Sequence, residues 1–184
     1  MKLKHLSILV LVATMVVACG NDKKEAEPET ITVESGNDVT ANTTETTANT
    51  SVEFKDNKDK DVFQAYLNLK DALVSTDPAM ASAEASKLMT AFANVGVEDN
   101  ALKAAQNIVE SSDVEAQRTA FVAVTTAVEA LLEDAVANGT IYKQYCPMAF
   151  NNTGAAWLSD SNEIFNPYFG SKMLKCGRID AKIE

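Results

Sequence analysis

"SDVEAQRTAFVAVTTAVEALLEDAVANG", Ser112 to Gly139, is the stretch on which the fold turns. Val114, Phe121, Thr125, Val128, Leu131, Leu132 and Ala135 recur at three- and four-residue steps, which lays one apolar stripe along a helix. Ser112-Asp113-Val114-Glu115 has the form of a capping box, and Asn138-Gly139 supplies a left-handed stop. The pattern predicts a helix from Asp113 to Asn138, about 39 Å long at 1.5 Å per residue.

Similar stripes precede it. Val62, Phe63, Tyr66, Leu69 and Leu73 make one, in a helix that begins near Asp59. Asp77-Pro78 starts the next, a capping carboxylate followed by proline at the first helical position. Its stripe uses Ala81, Ala85, Leu88, Phe92 and Val95, and Gly96 ends it. A shorter helix over Asn100–Glu110 buries Leu102, Ala105 and Ile108 or Val109. Short connections between stripes favour antiparallel neighbours. The expected fold is mainly α: an antiparallel bundle of about four helices, one of them short.

From Ile141 onward the composition changes. This tail holds seven of the twelve aromatic residues, two of the four prolines, and Gly154, Gly170 and Gly177. It reads as a small irregular aromatic lobe with room for short strands, packed on the bundle. Residues 58–184 are therefore expected to form the domain.

The other end of the chain reads as an address and a tether. Lys2 and Lys4 precede the apolar run "LSILVLVATMVVA", which is short for a membrane span and closes in Val16-Val17-Ala18-Cys19. This resembles a bacterial lipoprotein signal over residues 1–18, which implies lipidation of Cys19 and a chain anchored in the cell envelope, at the outer membrane and facing the periplasm or the surface. Residues 19–57 then form the lipidated cysteine and a polar tether. Gly20 to Ser51 carries only Ile31, Val33 and Val39 as bulky apolar residues, too few to offset the entropy of ordering.

Charge and residue counts exclude several functions. The chain carries 26 acidic against 16 basic residues, a net charge of −10, and loses two lysines with the signal. Nucleic acid is not an expected partner, since its binding needs clustered Lys and Arg. The single histidine, His5, falls within the signal, so the exported part has no imidazole for a catalytic triad or a zinc-protease site. Glu129, Glu133 and Asp134 on the long helix, and Glu98 with Asp99, read as a solvated face and a cap. Tyr142, Tyr145, Trp157, Tyr168 and Phe169 read as packing. No enzyme is expected.

Two cysteines remain in the domain, Cys146 in "YKQYCPMAF" and Cys176 in "KMLKCG", each within three positions of a methionine. Cys146 and Met148, two apart, would share a face in an extended segment. Met173 and Cys176, three apart, would align across one helical turn. Two thiolates with two thioethers make a soft set that suits Cu(I) or Ag(I). A Cys146–Cys176 disulfide is the alternative, since export favours bridging. Closing that loop would add roughly 3.7 kcal/mol in the chain-entropy model. Spacing leaves both open.

The stretch Gln144 to Gly177, "QYCPMAFNNTGAAWLSDSNEIFNPYFGSKMLKCG", resembles a family of unknown function found in Bacteroidetes lipoproteins. The same domain is appended in that family to periplasmic adaptor subunits of heavy-metal RND efflux pumps. The resemblance rests on Cys-Pro-Met-Ala at 146–149, Trp157-Leu158-Ser159, Asn166 to Gly170, and Met173 to Gly177. Over Asp59–Asn138 it is weaker in detail. It implies a metal role for Cys146, Met148, Met173 and Cys176 and a connection to heavy-metal efflux components. Relatives carry histidine in the helices or just before the cysteine, where this chain has Tyr145.

Overall fold

The computed structural model describes residues 52–184. The signal, Cys19 and the Gly20–Ser51 tether lie outside the described residues. Four helices dominate: α1 (Asn57–Val74), α2 (Pro78–Val95), α3 (Asp99–Glu110) and α4 (Val114–Leu132). Carboxylates start three of them. Asp56 accepts the amide of Lys58, Asp77 that of Met80, and Asp113 that of Glu115. The last differs from the expected capping box. Asp113, not Ser112, is the N-cap, and Glu115 instead pairs with Arg118.

α1 packs on α2, α2 on α3, α3 on α4, and α4 returns to α1, so the stripes meet in one core. Val62, Leu69 and Leu73 of α1 interleave there with Leu88 and Phe92 of α2 and with Phe121, Val128 and Leu132 of α4, all fully buried. Gly96 ends α2 in the left-handed conformation at φ 73°, as its position suggested. On α3 the buried side is Ala101, Ala104, Ala105 and Ile108, while Leu102 and Val109 are half-buried. Among the described residues no helix is long and apolar enough to cross a membrane.

The long helix is shorter than its periodicity predicts. α4 stops at Leu132, giving about 28 Å. Val136–Asn138 forms strand β2, paired antiparallel with β1 (Glu53–Phe54). The cause is a partner far away in sequence: Lys55 donates its amide to Ala135 at 2.9 Å and its ammonium to Asp134 at 2.6 Å. Ala135 and Val136 stay buried, so the stripe survives while the backbone changes. β1 also places packed structure inside the stretch read above as tether.

The lobe is built on a three-stranded antiparallel sheet of β3 (Ile141–Cys146), β4 (Ala155–Ser159) and β5 (Arg178–Ile183), in the order β4-β3-β5. β3 faces β4 in register, Gln144 opposite Trp157 and Cys146 opposite Ala155. Against β5 the register slips by one at Asp180, a bulge on the edge strand.

Buried polar groups fasten this lobe to the bundle. Arg118, on α4, is 1% exposed and donates to Pro167 O at 2.8 Å, to Leu73 O and Thr76 Oγ1 at 3.0 Å, and to Glu115 at 2.7 Å. Gly170 sits against it at φ 57°, where a Cβ would collide with Thr76 and the guanidinium. Tyr66, on α1, accepts the amide of Leu158 at 2.9 Å and shares a hydrogen bond with Thr125. Burial raises its phenol well above the ordinary range.

Candidate functional site: a buried cysteine pair

Alternation along β3 puts Gln144 and Cys146 on one face, beside Trp157 and Ala155 of β4. Cys146 ends the strand and is fully buried. Cys176 arrives from the other end of the lobe, on a turn in which its amide donates to Met173 O at 3.0 Å. One side chain organises that turn. Asn166, fully buried, donates to Cys176 O at 2.7 Å and accepts the amides of Tyr168 and Phe169 at 2.8 and 3.2 Å. Its own amide donates to Leu174 O at 2.9 Å. Gly177 follows, its Cα close against the Trp157 ring, so the indole lies next to the cysteine turn.

The outcome is a sulfur pair. Cys146 Sγ and Cys176 Sγ lie 2.9 Å apart as thiols, one buried and one half-buried. Hydrogen bonding to Cys146 pushes the Cys176 thiol up to about 11, with burial and the neighbouring sulfur's charge acting in the same direction. The Cys176 thiol is therefore held protonated well above its ordinary range.

The methionines are placed differently. Met148 leaves the strand in a right-handed helical conformation, so the extended geometry that would align it with Cys146 is not formed. It is 47% exposed and lines a separate recess with Glu115, Phe150, Tyr168 and Phe169. Met173 is half-buried and follows a single 3-10 turn at Gly170–Lys172. It and Cys176 are joined by a reverse turn and do not share a helical one. Left-handed Gly170 and extended Gly177 bracket this segment and leave no room for a longer helix.

The remaining candidates make packing and surface contacts. Glu129 is taken by Lys143 at 2.6 Å, while Glu133, Asp134, Glu98 and Asp99 face solvent. Tyr168 donates to Ala156 O at 2.6 Å and packs edge-on against Trp157, and Tyr145 lies under Arg178. Among the described residues no three His, Cys, Asp or Glu side chains gather as a metal cluster. A soft ion at this pair would take the two cysteine sulfurs as ligands. Two sulfurs on one ion stand roughly 3.8 Å apart at a tetrahedral angle and about 4.6 Å in line, taking metal–sulfur bonds of about 2.3 Å. The pair fits a cation after opening by an ångström or more, and a disulfide of about 2.05 Å after closing by slightly less.

Fold and site together define a four-helix module with a sheeted lobe and one apposed cysteine pair. Residues 62–139 match the family model described as a protein of unknown function, DUF3347. The match spans α1 to α4 and β2, less than half of the chain, and ends before Gln144. No curated protein and no solved structure matches the chain.

Proposed function

We propose that this chain is a non-catalytic module of the bacterial cell envelope, lipid-anchored through Cys19, whose Cys146 and Cys176 work as a thiol–disulfide couple. In its oxidised form the pair bridges the lobe; in its reduced form it holds one soft cation, Cu(I) or Ag(I). The observation that supports this reading is the 2.9 Å approach of the two sulfurs inside a lobe built to hold them there. Bridging transfers two electrons and two protons to an external disulfide, which leaves as two thiols. The half-buried Cys176 is the sulfur that such a partner can reach.

Thiolate ligands favour a monovalent soft ion, and a thioether would tune the site without dominating it. Met173, three residues from Cys176, is better placed for that than Met148. Native mass spectrometry of the full chain tests both halves. The untreated protein should be 2 Da lighter than the reduced one, from loss of two hydrogens. The reduced protein should gain one copper from a Cu(I)–chelator buffer, and Cys146→Ser with Cys176→Ser should abolish both changes. Equal masses and no copper uptake would end the proposal.

A further inference from the structure

Away from the cysteines, a concavity runs along the exposed side of α4. Ala123, Ala127 and Ala130 form its floor, with Thr126 between them, whose hydroxyl is already used on Val122 O at 3.1 Å. Val97 and Ala101, where α2 passes into α3, raise one wall around a mainly apolar recess of about 540 Å³. A second recess of about 560 Å³ continues from Thr126 and Ala130 to the end of β5, where Ala181 and Ile183 form the other wall. Alanine on an exposed helix face serves helix propensity anywhere. Here, however, walls rise on both sides of the stripe, and the floor admits close approach of another backbone.

Charge tells the two recesses apart. Glu129, Glu133 and Glu184 line the second, and Glu98 stands at the first, against one lysine, Lys182. Glu129 is paired with Lys143, and Lys182 is drawn between Tyr142 and Glu184. Glu98 and Glu133 have no basic partner among the described residues. The rim is acidic and the floor apolar.

We infer that this groove docks a basic amphipathic helix of a partner protein, about three turns long. Its apolar face would lie on Ala123, Ala127 and Ala130, with Lys or Arg toward Glu98 and Glu133. The stripe from Ala123 to Glu133 is about 15 Å long, which sets that length. Two other occupants fit the charge badly. The chain's own residues 20–51 carry seven acidic residues against two lysines, and a second copy brings a net charge of −10. A strand added to β5 meets the Asp180 bulge and the alternating charges Arg178, Asp180 and Lys182, devices that guard an edge. The inference does not depend on the cysteine pair.

The test uses the full chain and two labelled 16-residue helical peptides. Both carry Leu and Ala on one face; the other face carries Lys in one peptide and Glu in its control. Fluorescence anisotropy should give saturable binding of the Lys peptide with Kd of roughly tens of micromolar at low salt, weakening as salt screens the rim. The Glu peptide should bind at least about tenfold more weakly. Ala130→Arg, which blocks the floor, and Glu133→Lys, which reverses the rim, should each weaken the Lys peptide about fivefold or more with unchanged Tm. Equal binding of the two peptides, no saturation below about 1 mM, or indifference to both substitutions would overturn the inference. So would a concentration-dependent dimer abolished by the same substitutions, which would assign the groove to a second copy.

Discussion

The helices and the lobe hold together in different ways. In α1 to α4 the same few spacings repeat, and each stripe finds its neighbour across a connection of three residues. In the lobe almost every fastening joins residues far apart: Cys146 to Cys176, Gln144 to Ser161 and Glu163, Arg118 to Pro167, and Tyr66 to Leu158. The bundle is stabilised by area, the lobe by a few buried polar groups with fixed partners. Loss of one alanine from the first is small, and loss of one donor from the second strands its acceptor without water.

That contrast is most exposed at Arg118. Replacing it with Met keeps much of the volume but leaves buried Pro167 O without its donor, while Leu73 O keeps the Thr76 amide. Urea unfolding should show a loss of about 2–4 kcal/mol. A loss below about 1 kcal/mol would mean that the lobe docks by apolar contact alone.

Tyr66→Phe should come next. It removes one oxygen that serves both the Leu158 amide and Thr125 at the seam between helix and sheet. The expected cost is about 1–3 kcal/mol by the same measurement. If Tyr66→Phe unfolds like wild type, the seam tolerates an unpaired amide and the polar account of the lobe weakens.

A smaller effect tests the other end of the bundle. Cutting the chain just before Lys55 removes β1, including Phe54, whose ring packs on Phe63 at 5.5 Å. The cut should lower stability by about 1–2 kcal/mol while keeping a single cooperative transition, whereas a cut before Val52 should cost nothing measurable. Equal stability of the two truncated chains would remove β1 from the fold's determinants.

A further effect is a pH dependence confined to the reduced protein. Folding raises the Cys176 thiol to about 11, above its unfolded value of about 8.5. The associated stability is fully present below pH 8.5 and declines as pH rises toward 11. Denaturation of reduced and oxidised protein between pH 7 and 10.5 should therefore diverge, the reduced form losing more. Parallel curves would show that the thiol contact contributes nothing.

The sequence revealed what repeats and hid what pairs at a distance. Apolar residues at helical steps located all four helices, and Gly96 marked the end of α2. The same periodicity carried α4 through Ala135 and Val136, because these residues stay buried after the backbone has turned into β2. Nothing in that stripe signals Glu53–Phe54. In the lobe, same-face spacing of Cys146 and Met148 presumes an extended chain, and that chain ends at Cys146. Asn166 stood within the quoted Asn-Pro-Tyr-Phe-Gly run without a role. Asparagine before a turn was the available signal, but its partner, Cys176 O, lies ten residues on. The burial of Arg118 has no signal in the helical spacing, and only the fold shows it.

Hydrogen exchange of the full chain, followed by mass spectrometry under oxidising and reducing conditions, tests the central claim most directly. If the cysteine pair closes the lobe while the bundle stands by itself, reduction should speed exchange in β3, in β5 and across residues 164–177. α2 and α3 should keep their protection unchanged. Equal exchange of the lobe in both states, or loss of protection spread evenly through the helices, would contradict it.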